Sequence, residues 1–585
     1  MRNTFGQYLA LACAAALAGC PATSNETGDE STSSAETTAD TSTVPSTDPP
    51  LTTTFMVECF PGEERCADDN TKEVCNATGF GWDPLPCTKY QKCSEQGGNP
   101  VTASCLGPCE TLKETSIGCE FLAIRMRSEN ASEDPADADA IIVGNTDTVN
   151  TAEVQLYLIP NYNITKEEPQ GVPIVLQPGE SRVFKLYNSL LTNTSSFRTG
   201  GVYLVKSDYP ISAYLHSPLA NSNTNDASLL LPTKALGTSH VIPSFPAYND
   251  AVKPDEANGR PSYFVVIATE NDTVVEWTPR AATFGDGTAF DTIPAKQTES
   301  ADLNRYDVIQ VGALTDKDTN YKAQDVSGTL VRSNKPVVVM GATSCAKVPF
   351  DSAGGSDCNH LQEQVIPTTY WGTKYVAAHA PLRGTEKHTW RIYAGASNQQ
   401  IILEPQVGIP PFMLAEVGQY KEITLASGQN TTFKSTAPFM AVQYLASRRE
   451  VGPTDSAWFG DPAMYQTIPL EQHLKRYVFV TGDQYTQNYV QVIRRYNGAD
   501  VLIDGVPVPD ELWTHVNATG DLNVQIADVP LFEPGNTTPL PSTVHVAESD
   551  DPFGINVIGY VLKSAYAYPG GMALKNINPE GGTGP

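Results

Sequence analysis

Short stretches of alternating apolar and polar residues recur along most of the chain, and they predict half-buried β-strands. Examples are "GVYLVK" from Gly201, "GTLVR" from Gly328 and "TVHVAE" from Thr543. Turns rich in Asn, Asp, Gly and Pro separate these stretches, and long amphipathic helical patterns are scarce. The pattern predicts an all-β fold.

One phrase recurs four times, in which an alternating stretch leads to Ser, two further residues, Pro and an apolar run. The four prolines, about 100 to 130 residues apart, are Pro210, Pro336, Pro438 and Pro552. This spacing suits domains rather than the 20 to 50 residues of solenoid repeats. Proline has no N–H and restricts the preceding residue to extended conformations, so it suits the first position of a strand. The phrase therefore predicts a strand, a tight turn and a buried strand.

Other phrases recur in the same order, among them a strand entry led by proline in "LLLPTKALGTSHVI", "QVIPTTYWGTKYVA" and "QTIPLEQHLKRYVF". We infer four related antiparallel units at about 118–232, 233–363, 364–465 and 466–575, followed by a C-terminal tail at 576–585. Units of this length suit β-sandwiches. A β-propeller with two blades from each unit is the alternative.

The N-terminus has the pattern of an export signal at residues 1–20. Its apolar run "YLALACAAALAG" is too short to span a bilayer and ends at small residues. The ending Leu17, Ala18, Gly19 and Cys20 resembles a bacterial lipobox, which implies lipidation of Cys20. An ordinary signal peptide is the alternative. Residues 21–56 are rich in Ser and Thr and contain no Lys or Arg, so we expect a disordered tether.

A cysteine-rich module is predicted at 57–117, and its last cysteine lies just beyond. No C-x-x-C pair or histidine supports a zinc site there, so an exported chain favours disulfides, whose pairing the sequence leaves open. Cys345 and Cys358 are expected to form a further disulfide, with a free thiol as the alternative. The eight clustered cysteines are Cys59, Cys66, Cys75, Cys87, Cys93, Cys105, Cys109 and Cys119.

The chain is strongly acidic, with a formal net charge of -28 and a pI near 4.6. Nucleic acids and anionic lipids attract basic surfaces, so the charge argues against both as partners. The only expected contact with a membrane is therefore the lipid on Cys20.

Catalytic motifs are missing from the sequence, which has no G-x-S-x-G, no H-E-x-x-H and no glycine-rich phosphate loop. We assign no catalytic residue, metal ligand or cofactor and expect no enzyme activity, with a secreted hydrolase whose triad is assembled from distant residues as the alternative. Asp351, Asp357 and His360 cluster around the loop between Cys345 and Cys358 and form a candidate ligand loop. The alternative for His360 is a hydrogen-bonded side chain that fixes the loop.

Three tyrosines near the end of the chain, Tyr560, Tyr566 and Tyr568, could stack on a sugar, because aromatic rings pack against the apolar faces of carbohydrates. Packing in the core or at a sheet edge is the alternative.

Several phrases together carry a family resemblance. They include "GCEFLAI", "SDYPISAYLHSPL", "CNHLQEQVIPTTYWGTKYV", "GDPAMYQTIPLEQ" and "FGINVIGYVLKSAYAYPGGMAL". Across about 118–575 the chain resembles the N-terminal domain of the IgG Fc binding protein family, which also occurs in surface lipoproteins of deltaproteobacteria such as myxobacteria. Asn359 departs from the acid expected before "HL" and weakens any metal site there. The resemblance implies extracellular binding or adhesion.

These features together predict a lipid-anchored protein of the outer membrane or cell surface that binds an extracellular protein or glycan through its repeated β units. A structural scaffold of the envelope that binds nothing is the alternative. The ligand, the oligomeric state and the side of the membrane that the protein faces are left open.

Overall fold

The alternating stretches fold into antiparallel strands throughout the structure, a computed structural model, and the all-β class is confirmed. Within the described part of the chain, every helix is too short to cross a lipid bilayer. The single-turn 3-10 helices are Thr233–Ala235, Tyr321–Ala323, Thr368–Tyr370, Arg448–Glu450, Leu470–Gln472, Asp510–Leu512 and Gly520–Leu522. The structure describes residues 57–97, 101–112, 115–128, 134, 136, 138–219, 224–248, 261–314, 321–351, 358–452 and 459–578.

The cysteine-rich module contains five short strands, three in one sheet and two in another, followed by one helical turn. Few of its residues are buried, and disulfides crosslink its strands in place of a large core. Cys59 pairs with Cys75, Cys66 with Cys93, and Cys87 with Cys105. The elements are β1 (Glu64–Asp68), β2 (Thr71–Cys75), β3 (Trp82–Pro86), β4 (Lys92–Gln96), β5 (Thr102–Leu106) and α1 (Pro108–Thr111).

Four successive groups of antiparallel strands follow the module, and each group is called a unit below. The first contains β6 (Gly118–Ala123), β7 (Asp139–Asn145), β8 (Ala152–Ile159), β9 (Glu168–Pro169), β10 (Ile174–Leu176), β11 (Ser181–Leu186), β12 (Ser196–Thr199), β13 (Val202–Ser217) and β14 (Asp226–Leu229). The second contains β15 (Gly237–Val241), β16 (Ser262–Ala268), β17 (Thr273–Thr278), β18 (Glu299–Leu303), β19 (Asp307–Gly312), β20 (Leu330–Ala346) and β21 (Asn359–Gln364).

Two further units complete the series. The third contains β22 (Lys374–Ala377), β23 (His388–Ala394), β24 (Gln399–Glu404), β25 (Phe412–Leu414), β26 (Tyr420–Leu425), β27 (Thr431–Lys434), β28 (Phe439–Tyr444) and β29 (Met464–Gln466). The fourth contains β30 (Leu474–Val480), β31 (Gln487–Arg495), β32 (Val501–Ile503), β33 (Val506–Pro507), β34 (Thr514–Val516), β35 (Val524–Pro530), β36 (Val544–Val561) and β37 (Ser564–Pro569).

All four units share one strand order. In the first, the N-terminal half of the long strand β13 pairs with β6 and β8, and its C-terminal half pairs with β7 and β14. The strands β20 and β36 divide their partners in the same way. In the third unit two shorter strands replace the long strand: β27 pairs with β22 and β24, and β28 pairs with β23 and β29. A long strand that passes from one half-sheet to the other is a known way to join the layers of a sandwich.

The recurring Ser-x-x-Pro phrase marks the crossing point of that strand. In three units Pro210, Pro336 and Pro552 lie inside a continuous strand, so the predicted tight turn is wrong there, and only Pro438 lies in a break between two strands. Proline is tolerated because the strand changes partners at this point and the missing N–H is not needed by a ladder. Around Pro210 the pairing register shifts between Lys206 and Ile211.

The units meet through their last strands. The strands β14, β21, β29 and β37 contact one another in cyclic order, so the fourth unit also touches the first. At or just before the opening strand of each of the first three units, a glycine lies against the proline that leads into the next unit. A Cβ at Gly118 would lie 2.4 Å from the Pro232 side chain, and a Cβ at Gly237 would lie 2.6 Å from Pro367. Only glycine permits this approach.

Candidate binding cleft

A cleft of about 790 Å³ opens where the cysteine-rich module meets the first two units. This volume lies in the range of typical ligand sites, about 300 to 1,000 Å³. The cleft walls come from α1, from β6, from the bend of β13 and from the turn before β15. Representative lining residues are Tyr90, Glu110, Glu120, Asp208, Lys234 and Tyr370.

Covalent and polar contacts fix the module wall of this cleft. The Cys109–Cys119 disulfide joins α1 to β6. The Tyr90 hydroxyl donates to the Thr151 carbonyl at 2.7 Å, and the Tyr90 ring packs edge-on against Tyr209 with centroids 4.9 Å apart. A site with fixed walls loses little freedom on binding, which favours affinity.

Charges of both signs line the cleft. The Lys206 ammonium pairs with Glu167 at 2.6 Å, and the Asp208 carboxylate accepts the Glu153 N–H at 2.7 Å. Lys234 donates to the Cys109 carbonyl across the mouth of the cleft. Apolar side chains such as Leu112, Ile117 and Leu574 also line the cleft, so it offers a mixed polar and apolar surface of the kind that binds proteins.

The candidate ligand loop does not line this cleft. The side chain of Asp351 is exposed, with a carboxylate oxygen 3.6 Å from the Lys322 ammonium. Asp357 lies outside the described residues. His360 is fully buried, its Nδ1 lies 2.9 Å from the Thr343 carbonyl oxygen, and burial lowers its pKa to about 4. The structure therefore brings His360 to a buried, hydrogen-bonded position and not to a surface.

The terminal tyrosines are not a sugar platform. Tyr560, Tyr566 and Tyr568 are at most 1% exposed. The rings of Tyr566 and Tyr568 pack against the first unit, and Tyr560 packs against the third unit, where its hydroxyl donates to the Pro381 carbonyl, so all three follow the core alternative.

A buried polar network that the sequence did not reveal holds the four central strands together. The Asp226 carboxylate accepts the N–H groups of Gln362 and Met464 at 3.1 and 3.0 Å, which links three units. The Glu363 carboxylate accepts the Gln466 N–H at 3.2 Å and the Ser228 hydroxyl. Burial raises the pKa of both carboxyls well above the usual range.

Two glutamines in this network repeat one role. The side-chain oxygen of Gln364 accepts the Leu231 N–H at 2.9 Å, and that of Gln466 accepts the Ile366 N–H at 3.1 Å. Leu231 and Ile366 each precede the proline that leads into the next unit. The recurrence of Gln three residues before such a proline was the one sequence signal that could have identified the network.

Chemistry for catalysis is not assembled at the cleft. Its described lining contains no histidine, and both of its cysteines are joined in a disulfide. Burial lowers the pKa of His216, His240 and His473 to about 3, so these imidazoles stay neutral and face the interior. Among the described residues, no group of three or more His, Cys, Asp or Glu side chains could hold a metal ion.

The fold and the cleft define a class, that of disulfide-stabilised all-β proteins with several antiparallel sheets and an open surface cleft. Residues 226–559, more than half of the 585 residues, match the profile of the family described as IgGFc binding protein. The chain belongs to this family of binding proteins, which confirms the resemblance seen in its sequence.

A human protein of the same name as the family is similar to a shorter segment of the chain. The IgGFc-binding protein of Homo sapiens is 27% identical over 204 residues, which are 35% of this chain and 3% of that protein. The family match begins in β14 and ends in β36, so the cysteine-rich module and most of the first unit lie outside it. Of the cleft lining, only the turn at 232–235 and Tyr370 lie inside the match, so most of the cleft belongs to the part of the chain that the match does not cover.

Proposed function

We propose that this protein is an exported, lipid-anchored surface protein that binds an extracellular protein partner in the cleft between its cysteine-rich module and its first two units. The observation that carries the proposal is the rigid, open cleft of about 790 Å³ with mixed polar and apolar walls. Membership of a family of binding proteins supports a protein as the partner.

The proposed anchor is a lipid on Cys20. Support comes from the short apolar run that ends in Leu17, Ala18, Gly19 and Cys20. The acidic segment 21–56 would then separate the folded units from the membrane, with a reach of up to about 100 Å at roughly 3 Å per residue. Display of many copies on one surface raises avidity through effective concentration, so modest single sites suffice for adhesion.

Binding without catalysis is part of the proposal. The described cleft offers hydrogen-bond donors, acceptors and aromatic rings but no assembled nucleophile and base. The disulfides hold this surface in one arrangement. We propose no cofactor and no nucleic-acid partner, consistent with the net charge of -28.

The test uses residues 57–585, produced in an oxidising compartment and immobilised. Extracts of whole cells and of host surfaces are passed over it, with glycosidase-treated extracts alongside, and purified IgG serves as a defined probe because of the human relative's name. A saturable protein partner that survives glycan removal supports the proposal. Loss on glycan removal would make the protein lectin-like, and no binding at all would favour a scaffold.

Two matched variants test whether the partner binds in the cleft. Glu120→Arg reverses a charge in the cleft, whereas Asp302→Arg makes the same change on the exposed face of β18. We expect the first variant to weaken capture of the partner by about tenfold or more and the second to leave it unchanged. Equal capture by both would remove the cleft from the proposal.

A further inference from the structure

The outer edge of one half-sheet is covered in two units and open in the other two. In the second unit this edge is β19, and the first unit supplies β12, which pairs with it antiparallel. In the fourth unit β34 covers β35 in the same position. In the first and third units the equivalent strands β11 and β26 end their sheets within the described part of the chain. The protein thus already completes two of these edges by adding a strand.

The backbone of β11 is arranged to accept such a strand. Asn145 donates its N–H to the Glu180 carbonyl at 2.9 Å, which fixes the phase of the ladder between β7 and β11. Because the paired groups alternate along an antiparallel strand, Val183 and Lys185 direct their N–H and C=O groups away from β7. Among the described residues these groups have no hydrogen-bond partner within the sheet.

The side chains of β11 are basic in an otherwise acidic protein. Arg182 and Lys185 are exposed, and neither forms an ion pair with another described residue. The chain has 66 acidic and 38 basic residues, so two unpaired cations on one six-residue strand are unusual. Val183 and Phe184 lie half-buried between them and offer apolar surface.

The equivalent open strand β26 differs in charge. Lys421 lies over the Phe412 ring at 4.4 Å, and Glu422 pairs with Arg391 at 2.9 Å. Its charges are therefore balanced and engaged within the protein. An acidic segment would distinguish β11 from β26 on this basis, although both have open backbone groups.

We propose that β11 binds an extended acidic segment of a partner protein by strand addition. The segment would hydrogen-bond to the backbone of Val183 and Lys185 and place its carboxylates beside Arg182 and Lys185. Strand addition obtains affinity from main-chain hydrogen bonds and specificity from alternate side chains. The inference rests on the proposed role in protein binding but concerns a surface separate from the cleft.

The experiment titrates the peptide acetyl-Val-Glu-Val-Val-Asp-Val-amide, whose two acids lie three residues apart like Arg182 and Lys185 and so reach both faces of the strand, into residues 57–585 and follows amide hydrogen exchange by mass spectrometry. We expect saturable protection of 181–186, no protection of 420–425, and weaker binding at higher salt because exposed charges are screened. A peptide of the same pattern with Lys in place of Glu and Asp is expected not to bind. Protection of both edges, or of neither, would overturn the proposal.

Two variants test the contacts separately. Val183→Pro removes an N–H that the fold does not use, and Thr424→Pro makes the matched change on β26. Arg182→Glu with Lys185→Glu reverses the charges and keeps the backbone intact. We expect the β11 variants to weaken peptide binding by about tenfold or more and Thr424→Pro to have no effect. Unchanged binding by the charge-reversed variant would mean that the basic residues only keep the edge unpaired.

Failure of this test is distinguishable from failure of the proposed function. If the charge-reversed variant still captures the protein partner from extracts while Glu120→Arg does not, the cleft binds the partner and β11 does not contribute. If neither change affects the captured partner, both surfaces are excluded.

Discussion

The ring of Tyr214 stacks on the ring of Tyr568, with centroids 4.5 Å apart and planes inclined by 27°. Tyr214 belongs to the first unit and Tyr568 to the last strand of the fourth. The Tyr568 hydroxyl also donates to the Val480 carbonyl, and the Tyr214 hydroxyl donates to the Gly570 carbonyl at 3.2 Å. This pair therefore closes the cycle of units between the two ends of the β domain.

Replacement of Tyr568 by Ala should destabilise the whole β domain. The side chain is fully buried, and truncation of a buried aromatic residue typically costs about 3 to 5 kcal/mol. The free energy of unfolding from a denaturant titration checks this, with Tyr162→Ala as the control because Tyr162 is 76% exposed. Equal destabilisation by both variants would show that the contact between the first and fourth units does not support the fold.

Stability should fall as pH rises through the titration of Asp528. Burial raises the pKa of this carboxyl from 3.8 to about 6, while the Gln491 side chain donates to it at 2.9 Å. The folded state thus holds a proton that the unfolded chain has released, and the stabilisation present below pH 3.8 is lost as pH rises through about 6. Asp528→Asn should remove this pH-dependent part of the free energy of unfolding, which is about 1 to 3 kcal/mol.

Denaturant midpoints of the wild type and of Asp528→Asn between pH 4 and pH 8 give the measurement, with about 0.5 pH steps. The difference between the two denaturant midpoints should change as the pH passes the pKa of Asp528 and stay constant above pH 7. A constant difference over the whole range would contradict the assignment of this pH dependence to Asp528.

Loss of the Cys109–Cys119 disulfide should affect binding more than it affects the β domain. The bridge closes a loop of 10 residues, which corresponds to about 2 to 3 kcal/mol in the chain-entropy account. Serine at both positions should loosen α1, and with it one wall of the cleft. Serine at Cys345 and Cys358, whose separation of 13 residues is similar, is the matched control away from the cleft.

We expect the first pair of substitutions to reduce partner binding and the second pair to leave it intact at similar thermal stability. Binding that persists without the Cys109–Cys119 bridge, or that is lost equally in the control, would show that the module wall is not part of the binding site.

The recurring phrases predicted much of the fold because each of the four units repeats the same short sequence patterns in the same order. Alternation identified the strands, and the spacing of Pro210, Pro336, Pro438 and Pro552 matched one crossing point in each unit, which is a continuous strand in three units and a break between β27 and β28 in the third. The predicted turn failed in three units because local rules place proline at a strand start. They do not describe a strand that exchanges its partners midway.

Contacts between distant units could not be predicted from local patterns. Asn225 and Asn359 hydrogen-bond to each other, although 134 residues separate them, and the Tyr485 hydroxyl accepts a hydrogen bond from Asn225. Polar residues such as His360 and Glu363 indicate loops or ligand sites in a single sequence. Here both are buried: the Glu363 carboxylate faces strands of other units and accepts from the Gln466 N–H and the Ser228 hydroxyl, and the His360 Nδ1 lies beside the Thr343 carbonyl oxygen of its own unit.

Site-specific photo-crosslinking tests the central claim most directly. A benzophenone amino acid placed at Glu120, inside the cleft, is compared with the same amino acid at Asp302 on β18. We predict that the first position forms one saturable adduct with the captured protein partner and that unlabelled protein competes with it. Adducts of equal yield at both positions, or none at Glu120 while the partner is still captured, would contradict binding in the cleft.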